Sequence, residues 1–362
     1  MQENRNLTAI DLFSGAGGLT LGLKMAGFNV IAAVEVEPKI TKTYAANHPE
    51  VNLFTRDIRK ITAKEIYEKT GVTSIDLIAG CPPCQGFSKL TEKYHREDER
   101  NSLVMEMGRL VKETMPKAIM MENVPGLSKP GNKVFQEFLN LIKSLGYKVN
   151  YSVLQLADFG VPQSRRRLVL LAGKGFEIDL PKRTHSQKGD KKKGLKPWLT
   201  LRDALLGFDS NSVKSFAETL PTGGPMKFDW KVVSNISEIS RKRLAALKAG
   251  QTCRDLPENL RLDCQSEPNG FKNVYGRLSW NKTPPTITSG FKTPSMGRFG
   301  HPSKIRTISV REAALIQTFP KDYKFETNSI GTAAEMIGNA LPPKFAKIIS
   351  KICSEALLNL NN

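Results

Sequence analysis

The stretch Thr8-Ala9-Ile10-Asp11-Leu12-Phe13-Ser14-Gly15-Ala16-Gly17-Gly18-Leu19 decides the fold. Residues Thr8–Phe13 read as a short apolar strand, a glycine cluster follows, and a helical pattern opens at Leu19 and runs to Ala26. Strand, glycine turn and helix in direct succession form the first half of a βαβ unit. Glycines at the turn let a ligand come close to the backbone, and the helix start offers N–H groups that lack intrahelical partners. The spacing lacks the Lys-[Ser/Thr] of a phosphate-cradling loop, so a dinucleotide, a nucleoside or a plain tight turn all fit it. The next strand, Val30–Glu35, ends in Val34-Glu35-Val36-Glu37. An acid about 20 residues beyond the glycines suits a ribose diol, which tilts the reading toward a nucleoside.

Working outward, strands are predicted at Ser74–Ala79, Ala118–Glu122 and Leu168–Ala172, and helices at Pro38–Asn47, Asn101–Thr114 and Lys133–Leu145. That alternation predicts an α/β domain with a mostly parallel sheet. After Ala172 the pattern breaks. Residues 181–197 are basic, with Lys191-Lys192-Lys193 at the centre, and residues 208–303 are irregular and rich in Pro, Gly, Ser and Thr. Helical patterning returns at Ser309–Thr318 and Lys344–Leu358.

Composition narrows the class. The 362 residues are 40% hydrophobic and 25% charged, which excludes collagen, coiled coil and wholesale disorder. No apolar run approaches the roughly 18 residues of a membrane span, and Met1–Asn6 lacks the apolar core of a signal peptide. Five cysteines in so long a chain do not make a disulfide scaffold. A soluble cytoplasmic protein with no membrane association is expected. The net charge is +19, of which residues 174–303 carry +11. A basic insert in a more neutral body suits the gripping of a polyanion.

The predicted strand Ile75–Gly80 runs into Cys81-Pro82-Pro83-Cys84-Gln85-Gly86-Phe87-Ser88. As half of a zinc site this pair lacks two well-spaced partners, since Cys253 and Cys264 are eleven apart and the four histidines form no spaced pair. As a redox pair it should open a helix, whereas two prolines make a rigid loop. A single nucleophilic thiolate at a strand end is the third reading, and a buried structural cysteine the plainest one. Two further segments favour the nucleophile. Met120-Met121-Glu122-Asn123-Val124 sets a carboxylate at another strand end, and Gln163-Ser164-Arg165-Arg166-Arg167 supplies fixed cations ahead of Leu168. Strand ends on one side of a parallel sheet meet at the ligand crevice, so thiol, carboxylate and arginines there make a covalent-catalysis site.

On these residues the chain resembles the C5-cytosine DNA methyltransferase family, most like the bacterial restriction–modification enzymes. The resemblance covers Asp11–Gly18, Glu35, Asp57, Gly80–Ser88, Glu122-Asn123-Val124, Gln163–Arg167, Arg306–Pro320 and Gly338-Asn339-Ala340-Leu341-Pro342-Pro343, in that order. Three positions depart from the usual family pattern: Arg56 before Asp57, Leu315, and Glu37. None is a group the chemistry needs. The resemblance implies an α/β class I S-adenosylmethionine-dependent methyltransferase fold, with a Rossmann-like mixed sheet flanked by helices and a smaller irregular target-recognition domain. Its division would be residues 1–174 for catalysis and cofactor, 175–303 for DNA recognition, and 304–362 returning to complete the catalytic domain.

The resemblance also implies the reaction. Cys84 would add to C6 of a cytosine flipped out of double-stranded DNA, so that C5 attacks the methyl group of S-adenosyl-L-methionine. Glu122 would hold the N3 and amine edge, and Arg165 and Arg167 the cytosine O2. Phe13, Gly15, Gly17, Leu19, Glu35, Val36, Asp57 and Asn339 would surround the cofactor: Glu35 at the ribose, Asp57 at the adenine amine, Val36 on the adenine face, and Asn339 near the methionine end. Core packing is the competing reading for Phe13 and Val36. Thr288, in Pro285-Thr286-Ile287-Thr288, would touch phosphate; Lys191, Lys192 and Lys193 would bind DNA or form a solvated loop. No metal is expected. A monomer working alongside a cognate restriction endonuclease is the expected biological setting.

Three other functions compete with this one. An NAD-type oxidoreductase explains the glycine loop but not the catalytic set. A non-catalytic relative should lack the nucleophile, which is present. A C5-cytosine RNA methyltransferase of the tRNA-modifying branch shares the catalytic set but carries Cys-Phe-Thr in its recognition region, where this chain has Cys253-Arg254-Asp255 and Cys264-Gln265-Ser266.

Overall fold

The structure is a computed structural model and describes residues 6–83, 102–262 and 274–360. Chain packing divides it into two units: 1–156 with 166–183 and 341–362, and 157–165 with 184–340.

The first unit is built on one sheet. Its strands are β1 (Thr8–Leu12), β2 (Asn29–Val34), β3 (Asn52–Phe54), β4 (Leu77–Gly80), β5 (Ala118–Asn123), β6 (Tyr147–Gln155) and β7 (Arg166–Lys174). They lie in the order β3-β2-β1-β4-β5-β7-β6. β3, β2, β1, β4 and β5 pair in parallel, and β7 runs antiparallel to both β5 and β6. The sheet is therefore mixed, with one reversed strand more than alternation alone predicts. Every residue of β4 and β5 is buried, as expected of strands covered on both faces.

Among the described residues, helices that flank this sheet are α1 (Gly18–Met25), α2 (Pro38–Asn47), α3 (Ala63–Thr70), α4 (Leu103–Thr114) and α5 (Lys133–Ser144). One core joins Ile10, Leu12, Val34, Ile78 and Met121 from the strands with Met107, Leu110, Phe135 and Phe138 from α4 and α5. The C-terminal helix Pro343–Asn359 packs along α1. Gly22 permits that approach, because any side chain there would collide with Ala346.

The second unit has little regular structure. Two-residue strands pair His185–Ser186 with Lys196–Pro197 and Lys214–Ser215 with Val232–Val233. Buried polar braces replace extended ladders. Trp230 Nε1 donates to Phe325 O at 2.8 Å, and Arg277 donates to the carbonyls of Leu247, His301 and Pro302 at 2.9 Å each. Glu312 is sealed from solvent, with Arg306 Nη1 at 2.7 Å and the Ser309 N–H at 2.6 Å. Residues 304–340 pack within this unit, whereas the division expected from sequence places 304–362 as one segment in the catalytic domain. The reason is the anchoring of helix Ile330–Asn339 on the turn Ser289–Lys292, a pairing of residues far apart in sequence. No helix among the described residues is long and apolar enough to cross a membrane.

Candidate active site

In the first unit, β1 lies between β2 and β4, so the chain winds outward in both directions from it. That is the switch point at which α/β sheets open a crevice beyond the strand ends. The glycine loop leaves β1 there. Gly17 caps α1 in the left-handed region (φ 87°), where a Cβ would be strained. Ser14 N donates to Val34 O at 2.9 Å, which ties the loop to the end of β2.

Glu35 follows β2 and closes the loop from the other side. Its Oε2 accepts from Gly15 N and its Oε1 from Glu37 N, both at 2.8 Å. Burial pushes its carboxyl above the usual range, while these two N–H groups pull the other way. Val36, beside it, is 56% exposed, so core packing does not account for this side chain. Phe13 is half-buried and packs against the core, and Leu19 is buried in the first turn of α1. Asp57 caps a short turn after β3 and is gripped by its neighbour: Arg59 Nε and Nη2 donate to Oδ2 at 3.0 and 2.6 Å. The Arg59 guanidinium holds this carboxyl below its ordinary value. Arg59 is a participant that sequence reasoning did not name.

A carboxylate fixed by two backbone donors, an exposed apolar side chain next to it, and a loop position at Gly15 that faces open space together fit a nucleoside. Beneath the loop lies a buried polar chain that sequence reasoning also missed. Thr20 Oγ1 donates to Asp11 Oδ2 at 2.6 Å and lies 2.8 Å from the Tyr44 hydroxyl. Asp11 is fully buried, and desolvation pushes its carboxyl up to about 7. His48 Nδ1 lies 2.8 Å from Lys24 Nζ, which can only donate, so Nε2 carries the proton and donates to Gly17 O at 3.2 Å. Burial, aided by Lys24, holds this imidazole down to about 4.

Two of the residues expected to act in catalysis, Glu122 and Arg167, meet at the ends of β5 and β7. Glu122 is buried, and Arg167 Nε stands 2.8 Å from its Oε1. The register explains the meeting: Glu122 pairs with Val169, so Arg167 is its diagonal neighbour on the same face. Asn123 Nδ2 donates to Pro82 O at 3.0 Å, which ties the end of β5 to the residues that follow β4. Cys84 itself lies outside the described residues. Cys81 is described, and its thiol is pushed well above its ordinary value by desolvation and by the carboxyl groups of Glu122 and Asp11.

The other expected residues belong to the second unit. Arg165 is almost completely buried, and its guanidinium donates to Ile287 O at 2.9 Å, Gly338 O at 3.2 Å and Ala340 O at 3.3 Å. The two arginines expected together on the cytosine O2 are thus committed differently: Arg167 to a carboxylate and Arg165 to backbone carbonyls. Gln163 joins the same frame, with Ile287 N donating to its Oε1 at 2.8 Å and its Nε2 donating to Gln317 Oε1 at 2.7 Å. Thr288 is exposed and caps the next turn, accepting from Gly290 N at 3.3 Å. Asn339 is exposed at the end of helix Ile330–Asn339. Lys191, Lys192 and Lys193 form one exposed turn, capped by Asp190. A cleft of about 1040 Å³ in this unit is lined by Lys188, Lys282, Thr286, Thr288, Met296 and Arg298 among others.

A seven-stranded sheet in this order, with a nucleoside cradle at its switch point, is the architecture of the class I methyltransferases. Sequence relationship narrows the class: the profile of the family described as C-5 cytosine-specific DNA methylase matches residues 7–355, and the chain belongs to that family. It is a DNA (cytosine-5-)-methyltransferase. Similar proteins include the Type II methylase M.HgiDII of Herpetosiphon aurantiacus, 34% identical over 97% of this chain and 96% of that one. The Type II methyltransferase M1.HphI of Haemophilus parahaemolyticus is 33% identical over 98% of this chain and 88% of that one. Among solved structures, a DNA modification methyltransferase encoded within an E. coli prophage superposes with a TM-score of 0.72 at 28% identity, covering 98% of this chain and all of that one.

Proposed function

We propose that the chain is the modification enzyme of a Type II restriction–modification system, using S-adenosyl-L-methionine and the residues described above. The observation that carries the residue assignment is the Glu122–Arg167 pair, set at the strand ends from which the Pro82–Cys84 segment departs. Cys84 supplies the thiolate that adds to C6 of the target cytosine. Glu122 meets the N3 and amine edge, and Arg167 holds both Glu122 and the cytosine O2. Asn123 positions the loop through Pro82. Arg165 acts from behind, clamping the Ile287 and Gly338–Ala340 backbones rather than touching the base. When bound, S-adenosyl-L-methionine supplies an electrophilic methyl group for C5. Glu35 takes its ribose, Val36 its adenine face and Asp57 its amine, with Phe13, Gly15, Gly17, Leu19 and Asn339 around it.

For DNA, residues 175–303 carry recognition, with Thr288 on a phosphate and Lys191–Lys193 adding neutralisation. The relatives' names, Type II methylase and Type II methyltransferase, are consistent with this reading, which carries with it a partner endonuclease of the same recognition word. The deciding experiment incubates the protein and S-adenosyl-L-methionine with mixed-sequence DNA and, separately, with tRNA, then maps 5-methylcytosine by bisulfite sequencing. One short word, modified throughout the DNA, is expected. Modification of tRNA alone would overturn the DNA reading.

A further inference from the structure

Little regular structure holds Asp57 in place. The strand before it, β3, is three residues at the edge of the sheet, and the turn after it closes on Lys60 N to Asp57 O at 2.9 Å and Ile61 N to Ile58 O at 3.1 Å. A carboxylate that must meet one particular amine needs its support fixed to within about 0.5 Å. Arg109, in the middle of α4, reaches across to that turn. Its Nη2 donates to Ile58 O at 2.8 Å and to Ile61 O at 3.0 Å, the carbonyls at the turn's two ends. Glu106 and Glu113 aim the guanidinium: Nε donates to Glu106 Oε2 at 2.8 Å and Nη1 to Glu113 Oε1 at 2.7 Å. Glu113 extends the grip, since its Oε2 accepts from Ala63 N at 3.0 Å, at the start of α3. Ile58 and Ile61 are themselves buried in the core that also holds Leu110 and Val111 of α4. The turn is thus pinned both by packing and by one arginine.

Given Asp57 as the acceptor of the adenine amine, the cofactor reading above on which this rests, we propose that Arg109 is the positioning residue that makes the pocket selective for adenine. Its bonds go to backbone carbonyls and two acids, so it acts through the turn on which Asp57 stands. The labour is divided between two arginines: Arg59 orients the Asp57 carboxylate, and Arg109 sets where that carboxylate stands. Four acceptors in fixed directions call for a planar fork, which lysine, with the same charge on one nitrogen, cannot reproduce. Partly exposed ion pairs add little stability by themselves, and the Arg109 side chain is 30% exposed. What this brace fixes is place rather than stability.

The test is calorimetric titration with S-adenosylhomocysteine and with S-inosylhomocysteine, in which an acceptor oxygen replaces the 6-amino group. Wild type should bind the adenine compound at least about ten-fold more tightly, the scale of a charge-assisted hydrogen bond. Arg109→Lys should weaken S-adenosylhomocysteine and leave S-inosylhomocysteine within about two-fold of wild type, so that the preference shrinks to about three-fold or less. KM for S-adenosyl-L-methionine should rise with kcat unchanged, the pattern of lost cofactor binding. Both titrations read the same folded fraction, so a loss of stability cancels in the ratio. In an Asp57→Ala background, where the preference is already gone, Arg109→Lys should change the ratio no further. Arg109→Lys that keeps the wild-type preference, or that weakens both compounds equally, would overturn the proposal. A wild type that binds both compounds equally, or an Asp57→Ala variant that retains the preference, would instead overturn the Asp57 reading, and the proposal with it.

Discussion

Arg167 Nε lies 2.8 Å from Glu122 Oε1 across the antiparallel pair β5–β7, and neither side chain is more than 15% exposed. Two charges taken out of water are held by each other, so each variant has a distinct signature. Glu122→Gln keeps the shape and removes the carboxylate. Its kcat should fall by about 10²–10⁴, the range for a positioned acid or base, with cofactor affinity unchanged. Arg167→Ala leaves the carboxylate unpaired and should cost on the order of 3–5 kcal/mol of stability, read by denaturant unfolding. Normal turnover by Glu122→Gln would remove Glu122 from the chemistry.

Glu35 is expected to act on the cofactor alone. Glu35→Ala deletes the acceptor of two N–H groups and, on the proposed reading, of the ribose diol. Loss of a charge-assisted acceptor costs about 1.5–3 kcal/mol, or roughly 10–150-fold in Kd for S-adenosyl-L-methionine by calorimetry. DNA affinity measured without cofactor should be unchanged, and an equal effect on both ligands would point to a folding defect instead.

The two cysteines of the Cys81–Cys84 segment should separate cleanly. Burial and carboxyl neighbours keep the Cys81 thiol protonated, so it is a poor nucleophile. DNA with 5-fluorocytosine at the target should form a denaturant-stable adduct that requires S-adenosyl-L-methionine, because fluorine cannot leave as a cation. Peptide mapping should place the link at Cys84. Cys84→Ser should abolish the adduct and Cys81→Ser should retain it; the reverse pattern would reassign the nucleophile.

His48 makes a pH signature. Its folded pKa of about 4 lies below the ordinary 6.5, so the unfolded chain binds the proton more readily. Stability from this group is therefore full above pH 6.5 and declines as pH falls toward 4. The facing groups are Lys24, Glu50 and the Gly17 carbonyl. His301, held down to about 4 by burial, acts in the same direction, whereas Asp11, raised to about 7, favours the folded state at low pH and opposes them. The stability difference between wild type and His48→Gln should drift by up to about 1.4 kcal/mol per pH unit across this window. A constant difference from pH 4.5 to 6.5 would show that His48 does not titrate there.

Lys191, Lys192 and Lys193 present three exposed cations on one capped turn. Their simultaneous replacement by Ala should reduce the log–log salt slope of DNA binding by about one unit for each phosphate they neutralise in the wild type. An unchanged slope would make the turn a solvated loop.

The sequence is most legible where function is written in consecutive residues. The glycine loop, Glu35, and the strand ends at Gly80 and Glu122 are all visible, because strand and helix periods change abruptly there. β3 is missed because three residues carry no period, and β6 because an edge strand mixes Lys148, Asn150 and Ser152 with its apolar positions. α3 is short, and half of its residues are charged. Side-chain destinations are the hardest to foresee. Arg165 reads like Arg167 in the motif, but its partners Ile287, Gly338 and Ala340 lie 122, 173 and 175 residues away. Arg59 on Asp57, by contrast, is missed although the pairing is local: a basic residue two positions from an N-cap is the signal that could have found it.

The packing of helix Pro343–Asn359 along α1 also constrains how the protein is born. α1 leaves the ribosome 318 residues before the helix that covers it begins. At roughly 5–20 residues per second, the interval is on the order of tens of seconds. Throughout that time the Gly22 face of α1 is without its cover, and the nascent chain carries an unfinished first unit while the second unit is being made. A chain interrupted anywhere between Met25 and Pro343 therefore leaves that face of the glycine-loop helix uncovered.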